Sequence, residues 1–275
     1  MLGMMMNSPL LVSTILRHAA TYHGTTEIVS KTVEGPIHRY TYADLSKRSQ
    51  KLANALKRLG LEFGDRVGTL AWNGYRYLEL YYGVSGSGLV CHTINPRLFR
   101  EQIGYIIEHA GDSVIFADLP FLPILEALAD RLSGMKAIVM MTDEAHMPKS
   151  EALPNLACYE TLIAGESDEY DWPVFDENTA SGLCYTSGTT GDPKGVLYSH
   201  RSTVLHTFAV CMAEGAGLSS QTCFLAVVPM FHVNAWGIPY GCAMTGAKLV
   251  LPGPRYEGDM IFDLLDEEEV NITAG

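Results

Sequence analysis

The sequence has 275 residues, of which 47% are hydrophobic and 18% are charged. This hydrophobic content is sufficient for a large buried core. The low fraction of charged residues is not typical of a disordered chain. Its 19 basic and 31 acidic residues give a formal net charge of −12. This negative balance argues against general binding to nucleic acid or to anionic membrane surfaces, so an anionic ligand would require a local positive site.

The first half of the chain alternates helical and strand patterns. Thr41 has the position of a helix cap, and Gly60 has that of a helix stop. Strand, helix and strand at this spacing are typical of parallel βαβ units, so the sequence predicts an α/β fold with mixed, largely parallel sheets flanked by helices. The predicted helices are 42 to about 59, 75–84, 99–110 and 121–132, and the predicted strands are 66–71, 89–94, 113–117 and 136–141.

Two polar stretches, 142–155 and 166–178, read as surface connections, after which the alternation resumes. We expect residues 1–178 to form a first α/β subdomain and residues 179–275 to begin a second one. The last six residues have the pattern of a strand just begun, so we expect the chain to be an incomplete large domain. The predicted strands here are 181–185, 195–198, 223–228, 247–251 and 270–275, and the predicted helices are 201–214 and 256–268.

The cysteine pattern favours a reducing compartment. Six cysteines are scattered without a C-x-x-C pair, which suits free thiols better than a disulfide framework or a zinc site. The methionine-rich start lacks the basic region of a signal peptide, and no apolar segment approaches the length of a membrane span. We therefore expect a cytoplasmic protein without a transmembrane segment.

The most specific local pattern is a glycine- and threonine-rich loop between two predicted strands. Its three glycines allow backbone N–H groups to approach an anion, four serine and threonine hydroxyls add donors, and Lys194 adds a positive charge. A polyphosphate requires this combination of short-range donors and one mobile cation, so the loop predicts a nucleotide-phosphate site. It reads Tyr185-Thr186-Ser187-Gly188-Thr189-Thr190-Gly191-Asp192-Pro193-Lys194-Gly195.

Two better-known phosphate motifs do not fit the sequence. A Walker loop requires Gly-Lys followed by Ser or Thr and then a helix, whereas Lys194 stands between Pro193 and Gly195 and a strand is predicted next. The glycines from Gly83 to Gly88 have the wrong spacing for a dinucleotide fingerprint and fall late in a helix.

The loop resembles the phosphate-binding signature of the adenylate-forming enzyme superfamily. Two further segments are similar to the fatty acyl-CoA synthetase branch, which includes enzymes for medium- and long-chain fatty acids and for methylmercaptopropionate. The resemblance covers essentially the whole chain and implies the large N-terminal domain of such an enzyme. The two segments are Cys91-His92-Thr93-Ile94-Asn95-Pro96-Arg97-Leu98 and Val228-Pro229-Met230-Phe231-His232-Val233-Asn234-Ala235-Trp236-Gly237.

The resemblance implies ATP-dependent activation of a carboxylic acid as an acyl-adenylate, followed by transfer of the acyl group to coenzyme A. The implied cofactors are ATP, Mg²⁺ and coenzyme A, and a homodimer is a further expectation from the family. The resemblance assigns catalytic roles to His232, Lys194 and Thr190. It also implies that the Thr186 hydroxyl helps to hold Mg²⁺.

The same resemblance implies which residues hold the substrates. It places the acyl group beside His232, Val233 and Trp236, with Trp236 lining or gating an acyl tunnel. Ordinary core packing remains an equal alternative for Trp236, and the other histidines are expected to be structural or on the surface. The residues implied for ATP phosphates are Thr186, Ser187, Gly188, Thr189, Thr190, Gly191 and Lys194.

The family's later adenine, ribose and hinge segments and its small C-terminal domain have no counterpart in this sequence. We therefore expect the C-terminal domain to be absent and the 275-residue chain alone to form no acyl-adenylate at a useful rate. Two alternatives remain open at this point. One is a shortened, non-catalytic nucleotide-binding or interaction protein of the same superfamily, and the other is an unrelated phosphate-binding protein such as a kinase.

Overall fold

The computed structural model describes residues 1, 3–186 and 192–275. Within these residues, helices and strands alternate as the sequence predicts, and the α/β class is confirmed. The helices are α1 (Val12–Tyr22), α2 (Tyr42–Arg58), α3 (Tyr75–Gly86), α4 (Arg100–Ala110), α5 (Leu122–Ala127), α6 (Ala129–Leu132), α7 (Tyr159–Ala164), α8 (His200–Cys211), α9 (Ile238–Thr245) and α10 (Gly258–Glu267).

The strands form two mixed, largely parallel sheets. One has the order β7-β6-β5-β3-β4-β8-β9 and the other the order β12-β10-β11-β1-β2, with β8–β9 and β1–β2 as the antiparallel pairs. The strands are β1 (Glu27–Lys31), β2 (Ile37–Thr41), β3 (Arg66–Leu70), β4 (Val90–Thr93), β5 (Asp112–Ala117), β6 (Ala137–Met140), β7 (Leu156–Cys158), β8 (Ala180–Tyr185), β9 (Gly195–Ser199), β10 (Cys223–Ala226), β11 (Lys248–Leu251) and β12 (Ile272–Ala274).

The sheets do not divide the chain at the boundary expected between residues 178 and 179. β1 and β2 belong to the five-stranded sheet, whereas β8 and β9 extend the seven-stranded sheet. Each sheet therefore contains strands from both sides of that boundary. The physical reason is pairing between strands distant in sequence: Ile28 lies opposite Leu249 in β11, and Leu183 lies opposite His92 in β4.

Helices fill the space between the sheets and cover their outer faces. The largest apolar cluster joins α1, α2, α3 and α9 to both sheets, as shown by Val67 and Phe224 in one cluster. A second cluster packs α4 to α6 on the far face of the seven-stranded sheet, and a third packs Leu264 of α10 on the far face of the other sheet. The result is a five-layer arrangement in which helices and sheets alternate.

Two predicted features of the helices can be compared directly with the structure. The cap of α2 is confirmed, since the Thr41 hydroxyl accepts the N–H of Asp44 and the Asp44 carboxylate accepts the N–H of Thr41. The single helix predicted over 121–132 is instead two short helices after a 3₁₀ turn. Pro120 and Pro123 lie at the starts of the turn and of α5, where a missing N–H donor is tolerated.

All six cysteines are free thiols, as the sequence predicts. Among the described helices, none combines the length and apolar character needed to cross a membrane.

Candidate active site

The two ends of the phosphate loop stand opposite each other at the edge of the seven-stranded sheet. β8 and β9 pair antiparallel, with Tyr185 opposite Gly195. One residue further into the loop, the N–H of Thr186 donates to the Lys194 carbonyl at 3.0 Å. The strand predicted to follow the loop is thus confirmed, which supports rejection of the Walker motif. Five residues of the predicted phosphate site, Ser187, Gly188, Thr189, Thr190 and Gly191, lie outside the described residues.

Gly195 at the foot of the loop is closely approached by two side chains. A Cβ atom at this position would lie 3.1 Å from Leu183 and 3.2 Å from the Tyr185 ring. Contacts this short are tighter than ordinary packing allows. Glycine therefore leaves room for the Tyr185 ring, and Lys194, the residue before it, is exposed to solvent.

A cleft of about 230 Å³ opens where the first part of the loop meets the aromatic segment. Thr186 and Tyr185 line one wall, and His232 and Val233 line the other. The cleft lies at the carboxyl ends of the adjacent parallel strands β4 and β8, which is where open α/β sheets bind ligands. The structure thus brings together Thr186, His232 and Val233, three of the residues predicted for the site.

Asn95 and Leu98 also line this cleft, and the residue-level prediction missed them. Asn95 is the second residue after β4, so its place near the carboxyl end of a buried parallel strand was a usable signal. Tyr198 on β9 forms part of the cleft as well.

The polypeptide that follows His232 makes a left-handed turn. Val233, Asn234, Ala235 and Trp236 have φ angles between 46° and 54°. For residues with a Cβ atom this conformation costs roughly 1–2 kcal/mol per residue, so packing and hydrogen bonds must hold it. Strain of this kind concentrates at functional sites.

Contacts from two elements hold the turn in place. The Cys184 thiol at the end of β8 donates to the Asn234 side-chain oxygen at 3.4 Å, and His206 Nε2 of α8 donates to the Trp236 carbonyl at 3.1 Å. Gly237 permits the second contact, because a Cβ atom there would lie 2.9 Å from the His206 ring.

Trp236 lies outside the His232 cleft. A second cavity of about 250 Å³ shares Tyr198 and Val233 with the cleft and extends between α8 and the turn. Trp236 lines a third, more open groove beyond it, and its side chain is 47% exposed. The cleft, the cavity and the groove therefore follow one another along α8.

Asn73 forms three hydrogen bonds with the segment that leads to His232. Its amide nitrogen donates to the carbonyls of Ala226 and Val228 at 2.8 and 2.9 Å, and its side-chain oxygen accepts the Met230 N–H at 2.7 Å. Asn73 is fully buried. The sequence analysis missed it, although a polar residue just after strand β3 is a recognisable signal.

Asp118 binds the backbone next to Asn73. Its carboxylate accepts the N–H of Trp72, the residue next to Asn73, at 2.7 Å. Burial raises the pKa of Asp118 to about 7. Trp72 in turn lies against Phe231, with the rings in an edge-on arrangement 6.0 Å apart.

His92 and His200 are structural, as the sequence analysis expects. His92 Nδ1 lies 2.7 Å from an Asp112 oxygen, and both side chains are fully buried. Desolvation raises the pKa of Asp112, and the neighbouring imidazole opposes part of that shift. His200 accepts the Val12 N–H at 3.1 Å, and burial lowers its pKa to about 4.

The described residues offer a limited set of donors for a metal ion. No group of three or more histidine, cysteine, aspartate or glutamate side chains among them is placed to hold one. Thr186 lines the cleft, and its one hydroxyl lies 3.5 Å from the Lys194 carbonyl oxygen. One hydroxyl fits Mg²⁺ that is held mainly by substrate phosphates and water, and does not fit an ion bound by protein alone.

The fold and this cleft define an α/β domain with a cleft at the ends of its parallel strands, where ligands of such folds bind. The chain belongs to the AMP-binding enzyme family, whose sequence description matches residues 15–275. Its relatives include acyl-CoA ligases that act on fatty acids and on 3-methylmercaptopropionate.

Two relatives and one solved structure illustrate the similarity. The chain is 52% identical over 279 residues to the 3-methylmercaptopropionyl-CoA ligase of Ruegeria lacuscaerulensis, covering 100% of this chain and 51% of that protein. It is 52% identical over 275 residues to the medium-chain-fatty-acid–CoA ligase of Ectopseudomonas oleovorans, covering 100% and 50%. The anthranilate CoA ligase AuaEII in complex with anthranoyl-AMP shares the fold, with a TM-score of 0.84 and 22% identity over 98% of this chain and 50% of that one.

The chain thus spans about half the length of the curated relatives it matches.

Proposed function

We propose that this chain forms the part of an AMP-forming acyl-CoA ligase that binds ATP and the carboxylic acid and brings them together. The observation that carries the proposal is one cleft bordered by Thr186, at the foot of the phosphate loop, and by His232. The 52% identity to two acyl-CoA ligases supports it.

In the proposed reaction, a carboxylate oxygen of the acid attacks the α-phosphorus of ATP. A carboxylate–phosphorus bond forms, the bond to the bridging oxygen breaks, and pyrophosphate leaves with the electron pair. Two anions must approach each other, so positioning and charge screening are the main contributions the protein makes. A thiol of coenzyme A then displaces AMP to give the thioester, a step we assign to the ligase as a whole.

Three groups of this chain have roles in the first step. The loop between Thr186 and Lys194 holds the β- and γ-phosphates, with Thr190 in the loop and the exposed Lys194 ammonium neutralising part of their charge. The Thr186 hydroxyl would contribute one ligand to Mg²⁺, which would supply screening of the phosphate charges. His232 orients the carboxylate by hydrogen bonding from the opposite wall.

The acyl tail occupies the cavity that continues from the cleft along α8. Val233 and Tyr198 border both spaces, so a chain attached to a carboxylate at His232 can pass between them. Two tyrosines, Val233 and Gly237 form part of the walls, and the polar residues in the walls are Ser202, Thr203, His206 and Asn234. Trp236 stands beyond this cavity and limits how far an acyl chain extends.

The test is the binding of ATP to the purified 275-residue chain, measured by calorimetry in the presence of Mg²⁺. We expect binding that Lys194→Ala weakens about tenfold or more, because a charge-assisted hydrogen bond contributes roughly 1.5–3 kcal/mol. The matched control is Lys149→Ala, an exposed lysine in the connection before β7, which should bind ATP as the wild type does. No ATP binding, or equal loss in both variants, would contradict the proposal.

A further inference from the structure

Tyr185 lies at the foot of the phosphate loop and contacts both strands that lead into it. It ends β8 directly before Thr186, and its backbone lies opposite Gly195 of β9. Its ring also approaches β9, since a Cβ atom at Gly195 would lie 3.2 Å from a ring carbon of Tyr185. The position of this one ring therefore affects Thr186 on one strand and Lys194 on the other.

A histidine of α4 binds the hydroxyl of Tyr185. The Tyr185 hydroxyl oxygen lies 2.7 Å from Nδ1 of His109. The His109 ring is stacked on Tyr105, with the ring centroids 5.4 Å apart and the planes 25° apart. Tyr105 in turn packs on the apolar cluster between α4 and the seven-stranded sheet. The hydroxyl end of Tyr185 is thus tied to a helix that lies outside the loop and its two strands.

A buried histidine–aspartate pair also lies against the Tyr185 ring. The rings of His92 and Tyr185 are tilted, with their centroids 5.2 Å apart. The Asp112 carboxylate reaches His92 across β3 at Gly68, where a Cβ atom would lie 3.0 Å from a carboxylate oxygen. The side chains of His92 and Asp112 are both fully buried. The Tyr185 ring therefore rests on a base that is fixed within the sheet.

The phenol of Tyr185 keeps its proton in this environment. Burial raises the pKa of Tyr185, and the negative charge of Asp112 adds to that shift. A neutral phenol can take part in a hydrogen bond with a neutral imidazole across the pH range in which the protein is folded. The contact between Tyr185 and His109 is therefore a lasting support for the ring.

A phosphate site needs support of this kind. The groups that bind a ligand must be held to within about 0.5 Å of their working positions, which requires neighbouring residues that lock them by packing and hydrogen bonds. A site that is ordered before the ligand arrives also avoids part of the entropic cost of binding. Tyr185 and the residues around it supply such support at the foot of the loop.

We propose that His109 is a positioning residue for the triphosphate and that it acts through Tyr185. The inference rests on the proposed function, which takes the loop between Thr186 and Lys194 as the phosphate site. His109 holds the Tyr185 hydroxyl, and the Tyr185 ring fixes the end of β8 against the start of β9. The two ends of the loop then face the phosphates in a fixed position, without direct contact between His109 and the nucleotide.

The test is calorimetric binding of inorganic tripolyphosphate to the purified 275-residue chain in the presence of Mg²⁺. This probe carries the phosphates without the adenosine. We expect His109→Ala and Tyr185→Phe each to raise Kd about two- to tenfold, which is the loss expected for one neutral hydrogen bond. Because both changes remove the same hydrogen bond, the double variant should bind no more weakly than the weaker single variant. His109→Asn, which retains a short polar side chain, should recover part of the affinity.

His146→Ala is the matched control. His146 is also exposed, and its Nδ1 lies 2.7 Å from a carboxylate oxygen of Asp143 in the connection between β6 and β7. This variant should bind tripolyphosphate as the wild type does. The stoichiometry of binding separates positioning from unfolding, since an unfolded fraction lowers the number of sites, whereas a displaced loop raises Kd with the number of sites unchanged.

The possible failures are distinct from one another. Unchanged affinity in His109→Ala and Tyr185→Phe, with Lys194→Ala still weakening binding, would overturn the positioning role and leave the proposed function intact. Losses that add in the double variant would also overturn it, because they would show that the two residues act separately. A wild type that binds neither tripolyphosphate nor ATP would contradict the proposed function, and the inference would fall with it.

Discussion

Asn73 satisfies three backbone groups of the segment that leads to His232. In Asn73→Ala the two carbonyls and one N–H lose their partner in a buried place, and each unsatisfied group costs about 1–3 kcal/mol. We expect the free energy of unfolding to fall by roughly 3 kcal/mol, as measured by urea denaturation. A loss well below 1 kcal/mol in Asn73→Ala would contradict this account.

Asp118 should make stability depend on pH. Burial raises its pKa to about 7, well above the value of an exposed aspartate, so the folded state binds a proton that the unfolded state has released. The stabilisation is complete below about pH 4 and is lost as the pH rises through 7. Between pH 5 and pH 8 this group alone should lower the free energy of unfolding by about 2–3 kcal/mol.

The variant Asp118→Asn isolates that effect. Its side-chain oxygen can still accept the Trp72 N–H, but it does not titrate. The stability of the wild type relative to the variant should therefore decline from pH 5 to pH 8 in urea denaturation. A difference that stays constant across this range would show that Asp118 does not titrate there.

The sequence was most informative about residues that belong to contiguous sequence motifs. The foot of the phosphate loop and His232 were identified from contiguous motifs, and the structure places Thr186 and His232 at one cleft. Asn73 was missed because its hydrogen-bond partners lie far away in the chain, and Asn95 because most of the residues that line the cleft with it do as well. The predicted role of Trp236 as a tunnel residue stays a prediction.

At the scale of elements, helix caps allow a direct test. Thr41→Ala removes the hydroxyl that accepts the Asp44 N–H at the start of α2. Loss of a helix cap typically costs about 1 kcal/mol. We expect a decrease of that size in the free energy of unfolding, with Thr41→Ser as the control that preserves the hydroxyl. Equal stability of the alanine and serine variants would contradict the capping role.

Helices and strands were predicted well where the hydrophobic periodicity of the sequence was strong. They were missed where burial in the folded protein outweighed the residues' intrinsic helix or strand propensity. The amphipathic α2 and the apolar strand β5 lie close to their predicted ranges. α9 was not predicted, since it contains Pro239 and Gly241, yet it forms because its first six residues are buried between the sheets. β1 and β2 were also missed, because short strands are specified largely by their pairing partners.

At the scale of the whole molecule, fold class was predictable and sheet membership was not. Alternating elements identify parallel α/β layers, whereas nothing local shows that β1 pairs with β11 or that β8 pairs with β4. The active-site cleft depends on this non-local arrangement, since Thr186 follows a strand of one sheet and His232 follows a strand of the other.

The pairing of β1 with β11 has a consequence for biosynthesis. Ile28 can pair with Tyr40 of β2 early, but its partner on the other side, Leu249, is synthesised 249 − 28 = 221 positions later. At ribosomal rates of 5–20 residues per second, that delay is roughly 10–40 s. During this interval the nascent N-terminal hairpin presents Ile28 and Val29, which are fully buried in the folded protein, to the surrounding solution. A chaperone that shields apolar segments as they leave the ribosome should therefore improve the yield of folded protein.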